Sequence, residues 1–321
     1  MPDTPICLLV DGERVPHDLV KAYGVRIIRR SEVEHAELRE WSFGGLRAKN
    51  AVHWLAPFET FLSLDADAVV WGDMRTLCDF ERFDFVLDTP IPNPGYVRGW
   101  VMDVEEVGRQ LPGIDAQRYA PLYVNSGAYF ARKGVLELDR YLELLRFSAE
   151  QPGLFRGGQG IFNFMVFTGV DEGRLRLDQR ELQVTTGDVA REEVVRRFLL
   201  IGGEPRVVDG PLVLHWAGSA KPRLRQRGRD YFEPMTFFRR RFRVDLQAQG
   251  GVRARDELRL RIEDVLCADF RGSNLRGRVN MARRRMRRRY AHARVAVRSR
   301  TPDWVMQTVL RRASANPERP S

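Results

Sequence analysis

The sequence of 321 residues has few cysteines, few lysines and no long apolar run. Its three cysteines, Cys7, Cys78 and Cys267, lie far apart without a C-x-x-C pair, which argues against a disulfide framework and against a structural zinc site. No apolar run reaches the roughly 18 residues of a membrane-spanning helix, and the first residues lack the basic and apolar segments of a signal peptide. The expected location is therefore the cytoplasm.

Charge is distributed unevenly along the chain. Residues 1–222 hold 26 Lys and Arg against 33 Asp and Glu, a balance of −7, whereas residues 223–321 hold 27 Arg against 10 Asp and Glu, a balance of +17. We therefore predict two regions: an acidic body at 1–222 and a basic, mostly helical extension at 223–321 with a disordered C-terminal end. Such asymmetry points to a polyanionic partner for the extension.

Strand and helix patterns alternate along residues 6–216. Short apolar runs predict strands at 6–10, 25–28, 61–64, 83–87, 122–124, 128–131 and 212–215. Helical spacing of apolar residues predicts helices at 18–23, 46–55, 138–147 and 160–168. This alternation predicts an α/β fold with a mainly parallel sheet covered on both faces by helices.

Two carboxylates follow the predicted strand 61–64. Asp65 and Asp67 lie in the segment LSLDADAVVWGD, just where the strand ends. In open α/β sheets, ligands bind outside the carboxyl ends of the strands, and carboxylates there must be solvated, paired or bound to a metal. Their hard oxygens suit Mg²⁺ or Mn²⁺. The other interpretation is a polar turn without a ligand.

Three further segments support a site. They read VNSGAYFARK at 124–133, GGQGIFN at 157–163 and LHWAGSAKP at 214–222. A neutral His215 is a competent third metal ligand, and Lys221 can neutralise a diphosphate as a point charge. Taken singly, His215 is also compatible with an ordinary partly buried histidine, Lys221 with a surface lysine, and GGQG with a loop that caps a helix.

In this order the segments resemble the motifs of GT-A-type nucleotide-diphospho-sugar transferases, the family 8 retaining glycosyltransferases typified by glycogenin and bacterial lipopolysaccharide galactosyltransferases. That family combines D-x-D, N-S-G, G-D-Q-G and H-x-x-G-x-x-K-P. The chain matches with Asp65-Ala66-Asp67, Asn125-Ser126-Gly127 and His215-x-x-Gly218-x-x-Lys221-Pro222. The resemblance covers about residues 6–222 and implies a GT-A (Rossmann-like) fold and a retaining hexosyltransferase.

The resemblance also implies a ligand set. The donor would be a UDP-sugar and the acceptor a glycan or a lipid-linked sugar. The diphosphate would be bridged to Mn²⁺ (or Mg²⁺) by Asp65, Asp67 and His215. The implied catalytic residues are Asp65, Asp67, Gln159 and Lys221. The implied donor-binding residues are Lys49, Asp65, Ala66, Asn125, Ser126, Gln159, Gly218 and Lys221.

The chain departs from the family pattern at two places. Gly158 stands where the family has an aspartate thought to contact the transferred sugar. The strand at 6–10 matches the family's second strand, so one βα unit of about 30 residues is expected to be missing, with a true start upstream of Met1 as the favoured explanation. These departures leave an alternative: a non-catalytic sugar-nucleotide-binding or scaffold protein of the same fold.

Arginine and aromatic residues alternate in the extension 223–321, for example in MTFFRRRFR at 235–243. This pattern favours an anionic membrane surface as partner, at the inner face of the membrane. A solvated extension without a partner and a dimerisation arm are the alternatives. Basic charge alone gives only non-specific nucleic-acid affinity, and no nucleic-acid module is recognisable, so a specific nucleic acid is not expected.

Overall fold

The structure, a computed structural model, describes residues 4–12, 17–45, 47–111, 115–185, 189, 191–201, 204–210 and 212–216. The predicted extension 223–321, and with it the predicted boundary at residue 222, lies outside these residues. The strands are β1 (Cys7–Val10), β2 (Arg26–Arg29), β3 (Thr60–Leu64), β4 (Ala68–Trp71), β5 (Phe85–Leu87), β6 (Ala128–Arg132), β7 (Leu177–Gln179), β8 (Gln183–Thr185), β9 (Phe198–Ile201), β10 (Glu204–Val207) and β11 (Leu212–His215). The α-helices are α1 (His17–Tyr23), α2 (Ala36–Ser42), α3 (Val52–Leu55), α4 (Pro94–Trp100), α5 (Val104–Gln110), α6 (Ala116–Tyr119), α7 (Leu138–Glu150), α8 (Gly157–Asp171) and α9 (Arg191–Arg197), with 3₁₀ turns at Arg30–Glu32, Ala48–Ala51, Met74–Leu77 and Ala120–Leu122.

The described strands form mixed sheets. One sheet has the order β3-β6-β5-β7, in which β6 is antiparallel to both neighbours and β5 is parallel to β7. A second has the order β4-β11-β8, in which β11 is antiparallel to β4 and parallel to β8. Strands β1 and β2 pair in parallel, and β9 and β10 pair antiparallel. The predicted α/β class is confirmed.

Parallel and antiparallel pairs both occur among the described strands, and the parallel pairs are β1–β2, β5–β7 and β8–β11. A single helical crossover returns the chain to the same end of a sheet and so gives parallel neighbours. Between β5 and β6, however, the chain passes through α4, α5 and α6, and β6 then enters the sheet from the opposite end. The alternation of strands and helices does not specify this direction.

Helix α8 forms the centre of the main hydrophobic core. Its apolar side chains are buried around nearly the whole circumference, as expected for a helix that is hydrophobic on all sides. Helix α7 is amphipathic and contributes one apolar face with Tyr141, Leu142, Leu144 and Leu145. A second hydrophobic cluster surrounds Trp71 and Trp216. Among the described residues, no helix is long and apolar enough to cross a membrane.

Residues 122–124 do not form the predicted strand. The preceding 3₁₀ turn contains Pro121, which has no N–H to donate to a ladder. The buried side chain of Asn163 in α8 bonds both backbone groups of Val124: its Oδ1 accepts from the N–H at 2.8 Å, and its Nδ2 donates to the carbonyl at 3.0 Å. A side-chain amide thus replaces the neighbouring strand, and the segment before residue 125 is attached to α8.

Candidate metal centre

Two strand ladders determine where the acidic turn, residues 65–67, lies. This turn joins β3 of the first sheet to β4 of the second. The Asp65 N–H donates to Gly127 O at 2.9 Å, which extends the β3–β6 ladder beyond the strands. The Trp216 N–H donates to Asp67 O at 3.0 Å, which extends the β11–β4 ladder. These bonds bring the turn 125–127 and the end of β11 beside the acidic turn.

Three ligand-type side chains converge there. Asp65, Asp67 and His215 each offer one atom, and these atoms lie within 4.8 Å of one another. His215 Nε2 is 3.3 Å from Asp67 Oδ1 and 3.6 Å from Asp65 Oδ2. The His215 side chain is 2% exposed, whereas those of Asp65 and Asp67 are 28% and 21% exposed, so the group is closed behind the imidazole and open at the carboxylates. Two carboxylates and one imidazole fit a divalent cation such as Mn²⁺.

Lys49 supplies positive charge to the same group. Its Nζ donates to Asp65 Oδ1 at 3.1 Å and Oδ2 at 3.2 Å, and to the Ser126 carbonyl at 3.3 Å. The residue lies on the 3₁₀ turn Ala48–Ala51, within the stretch for which a helix was predicted. With a neutral imidazole, two carboxylates and one ammonium leave a net negative charge, which favours a further cation.

The turn 125–127 closes the site on another side. Asn125 Oδ1 accepts from the Gly127 N–H at 2.9 Å, which holds the turn. The Ser126 hydroxyl is buried and has no hydrogen-bond partner among the described residues, so a polar ligand that reached it would remove a desolvation cost. A Cβ added to Gly127 would lie closer than 3.0 Å to His215 Cε1 and Nδ1. Glycine is therefore required here for the close approach of the imidazole.

The first turn of α8, residues 157–160, has the sequence GGQG. Two of its backbone carbonyls accept hydrogen bonds from asparagine side chains. Gly158 O accepts from Asn50 Nδ2 at 2.9 Å, and Gln159 O accepts from Asn163 Nδ2 at 2.9 Å. Asn50 follows Lys49, so the α8 turn is linked to the segment that contacts Asp65. The sequence analysis predicted this helix at 160–168, from an apolar run too long for a strand. The structure starts it at 157.

Two neighbouring residues, Asp88 and Gln183, were missed by the sequence prediction. Buried Asp88 follows β5 and accepts from the N–H groups of Leu182 at 3.0 Å and Gln183 at 3.4 Å, and burial raises its pKa to about 6. Its sequence signal was available, because it follows a buried strand just as Asp65 does. Gln183, in β8, has its Oε1 2.9 Å from His215 Nδ1. Nothing in the local sequence distinguishes this glutamine.

The predicted site residues are placed as follows. The structure brings together Asp65, Asp67 and His215 with Lys49, Asn125 and Ser126. Ala66 is the exposed tip of the acidic turn, and Gln159 lies in the α8 turn. Gly218 and Lys221 lie outside the described residues, and the functional roles of all these residues stay predictions.

No protein-family model matches the chain, and no curated protein matches its sequence. Among solved structures, the chain is similar to a galactosyltransferase, LgtC, crystallised in complex with donor and acceptor sugar analogues. The two chains are 14% identical, the match covers 79% of this chain and 89% of that chain, and the TM-score is 0.45.

Proposed function

We propose that this protein is a glycosyltransferase that moves a hexose from a UDP-sugar to a glycan or lipid-linked acceptor, with retention. The observation that carries the proposal is the convergence of Asp65, Asp67 and His215 within 4.8 Å, with Lys49 beside them, at the turn that joins two sheets. A turn with only a structural role does not require a buried imidazole that faces two carboxylates. A divalent cation does require such a set of ligand atoms.

Asp65, Asp67 and His215 would hold the cation. When bound, Mn²⁺ would supply a Lewis acid that offsets the charge growing on the departing UDP. We favour Mn²⁺ over Mg²⁺ because an imidazole nitrogen is a softer ligand than Mg²⁺ prefers. This preference predicts that the site retains Mn²⁺ more tightly than Mg²⁺.

The other predicted residues would bind and orient the donor. Lys221 and Gly218 follow His215 by six and three residues, so the chain leaving β11 can bring them to the diphosphate. The Lys49 ammonium, which pairs with Asp65 in this structure, would also attract the negatively charged donor. Ala66 would contact the donor at the tip of the acidic turn. Asn125, Ser126 and Gln159 would face the sugar. The acceptor hydroxyl would attack from the face of the leaving group and give its proton to the departing phosphate.

One observation favours a second candidate function. The α8 turn has no acidic residue, because Gly158 stands where the family has an aspartate. A protein with the cation ligands and without this carboxylate could bind a sugar nucleotide without transferring the sugar. This alternative predicts Mn²⁺-dependent UDP binding with no release of UDP from a UDP-sugar.

Calorimetry and a turnover assay test both candidates. Wild-type protein titrated with UDP should bind it in the presence of Mn²⁺ and lose most of that affinity with EDTA. Mass spectrometry after incubation with a panel of UDP-sugars should then reveal UDP and a free or transferred sugar. Absence of UDP binding with Mn²⁺ would contradict both candidates, whereas binding without any turnover would select the non-catalytic protein.

The basic extension 223–321 suggests where the acceptor lies. Its arginines and interleaved aromatic residues suit an anionic membrane surface, at about 1 kcal/mol for each basic side chain near that surface, and a lipid-linked acceptor would be presented at the inner face. The full chain should sediment with anionic liposomes at low salt and be released at high salt. A chain ending at Pro222 should stay in the supernatant, and equal behaviour of the two would remove this part of the proposal.

A further inference from the structure

His215 is held by a short relay of hydrogen bonds behind the candidate metal centre. Its Nδ1 lies 2.9 Å from Gln183 Oε1, and Gln183 Nε2 lies 3.0 Å from the carbonyl of Asn125. Gln183 and His215 are buried, with 5% and 2% of their surfaces exposed. Water therefore does not compete for these hydrogen bonds, and the two protein partners decide the direction of each.

The direction of the relay follows from the carbonyl at its end. A backbone carbonyl can only accept, so the group of Gln183 that faces Asn125 O must be the NH₂. The other group, Oε1, then faces His215. An amide oxygen can also only accept, so His215 Nδ1 must carry the proton. Reversing the amide would set two oxygens against each other at Asn125 and an NH₂ against the imidazole.

The consequence concerns the other nitrogen of the ring. When Nδ1 carries the proton of a neutral imidazole, Nε2 has a lone pair. That lone pair lies toward Asp67 Oδ1 at 3.3 Å and Asp65 Oδ2 at 3.6 Å. The lone pair of Nε2 and the two carboxylate oxygens thus face one another without an imidazole proton between them. A cation bound among these three atoms would interact favourably with all of them.

We propose that Gln183 is the positioning residue of the metal centre: it holds His215 as the Nδ1–H tautomer, so that Nε2 is available as a cation ligand. Histidines that bind metals commonly donate their second N–H to such a partner, which sets the tautomer and the ring orientation. The inference rests on the proposed function of Asp65, Asp67 and His215. It extends that function to a residue outside every predicted motif.

Two structural features support this role. Asp88 accepts from the N–H groups of Leu182 and Gln183, which anchors the first residue of β8. Gly127 leaves room for the ring, since a Cβ there would come within 2.9 Å of Gln183 Oε1 and closer than 3.0 Å to His215 Nδ1. The backbone of Gln183 and the space around its side chain are thus both constrained.

The first test measures the tautomer in metal-free protein. Nitrogen-15 NMR of histidine-labelled protein at pH 8 should find the proton of His215 on Nδ1, whereas free neutral histidine prefers Nε2–H. The His215 signals are assigned by their loss in His215→Gln. Gln183→Met, of similar volume but without the amide, should shift the population toward Nε2–H.

The second test measures Mn²⁺ affinity by calorimetry. Loss of an outer-shell partner typically weakens metal binding by about 10–100-fold, and we expect a loss in this range for Gln183→Met. The matched control is Gln179→Met. Gln179 lies at the end of β7, and its Nε2 also donates to carbonyls, those of Leu122 at 2.9 Å and Asp88 at 3.4 Å. Among the described residues, no hydrogen bond joins it to His215. This variant should bind Mn²⁺ like the wild type.

The outcomes separate the two proposals. Wild-type His215 in the Nε2–H form, or an unchanged tautomer in Gln183→Met, overturns the role of Gln183 whatever the metal affinity. A loss of Mn²⁺ affinity in Gln179→Met equal to that in Gln183→Met also overturns it, because the effect would then be general destabilisation. Failure of the wild type to bind Mn²⁺ contradicts the proposed function, and the tautomer measurement alone then judges Gln183.

Discussion

The acidic turn and the α8 turn carry two of the four predicted motifs, and they are stabilised differently. The acidic turn has main-chain bonds to both neighbouring ladders, and its carboxylates face Lys49 and His215. The α8 turn has main-chain bonds to Asn50 and Asn163 and contains no charged residue. The carboxylates suited to binding a cation and Gln159, one of the residues expected to contact the sugar, therefore lie on separate supports. Binding and turnover should be separable by mutation.

The largest effect is expected at the acidic turn itself. Asp67→Ala removes one of three protein ligands, so Mn²⁺ affinity should fall by more than the roughly 10–100-fold that follows loss of an outer-shell partner. UDP affinity in Mn²⁺ should fall to its value in EDTA, as calorimetry can measure. The control is Asp73→Ala, since Asp73 also follows a strand but pairs with Arg75. Undiminished Mn²⁺-dependent UDP binding would mean that the acidic turn is only structural.

Gly127→Ala tests the space behind the acidic turn without touching a ligand. The added Cβ would press on the His215 ring, so we expect roughly a tenfold loss of Mn²⁺ affinity and about 1–3 kcal/mol lower stability from overpacking. Calorimetry and urea unfolding measure these losses. Gly45→Ala is the matched control, because a Cβ there meets nothing within 4 Å. If both variants bind Mn²⁺ equally well, the close approach of His215 is not important for the site.

Lys221→Ala should affect the nucleotide rather than the metal. Loss of a hydrogen bond to a charged group costs about 1.5–3 kcal/mol, which is roughly tenfold to hundredfold in the Kd for UDP. Mn²⁺ affinity in the absence of UDP should not change. The chain offers Lys133→Ala as a control, because Lys133 follows the end of β6 opposite the turn 125–127. Equal UDP affinities of the two variants would show that the match of the H-x-x-G-x-x-K pattern is coincidental.

Gly158→Asp gives the α8 turn the carboxylate that the family has at this position and that the α8 turn of this chain lacks. The backbone is helical at this residue, whereas the adjacent Gly157 has φ 63°, a value that favours glycine. We expect UDP release from a UDP-sugar to rise severalfold while Mn²⁺ affinity stays near the wild-type value. Gly158→Asn controls for size without charge. A rate that does not differ between the Asp and Asn variants would show that a carboxylate at this position is not what limits turnover.

The smallest effect concerns the core that joins the two turns. His53 is buried between Tyr129 of β6 and Phe162 of α8, and burial lowers its pKa to about 3. The unfolded chain takes up a proton near the ordinary pKa of 6.5, so this contribution to stability is complete above 6.5 and is lost as the pH falls toward 3. His53→Phe should therefore flatten the decline in unfolding free energy between pH 7 and pH 5.

Urea unfolding at several pH values measures that slope. The exposed His35 accepts a hydrogen bond from the Leu38 N–H at 3.3 Å at the start of α2, and His35→Gln provides a comparison in which the slope should change less than in His53→Phe. A steep decline that persists in His53→Phe would assign the acid sensitivity to other groups.

Sequence patterning predicted the elements with a clear apolar pattern and missed others, including β4 and β8 beside the candidate metal centre. The predicted strands 61–64 and 212–215 and the helix that begins at 138 agree with β3, β11 and α7. Each combines a clear apolar period with a polar boundary. Strand β4 was missed, because AVVW directly follows the acidic turn without a break that marks a second strand. Residues 122–124 have strand-like composition, but Asn163 satisfies the backbone of Val124 and removes the need for a ladder.

The chemical identity of the candidate ligands was determined by the sequence alone. Carboxylates and an imidazole bring the same ligand properties to any fold, and their order along the chain was sufficient to suggest a cation and a diphosphate. Their meeting was decided by the tertiary structure, because only the β3–β6 and β4–β11 ladders bring residues 65, 127 and 215 together. The role of Gln183 is the clearest case. A glutamine both donates and accepts, so its function depends on which groups lie within about 3 Å, and that depends on the packing of β8 against β11.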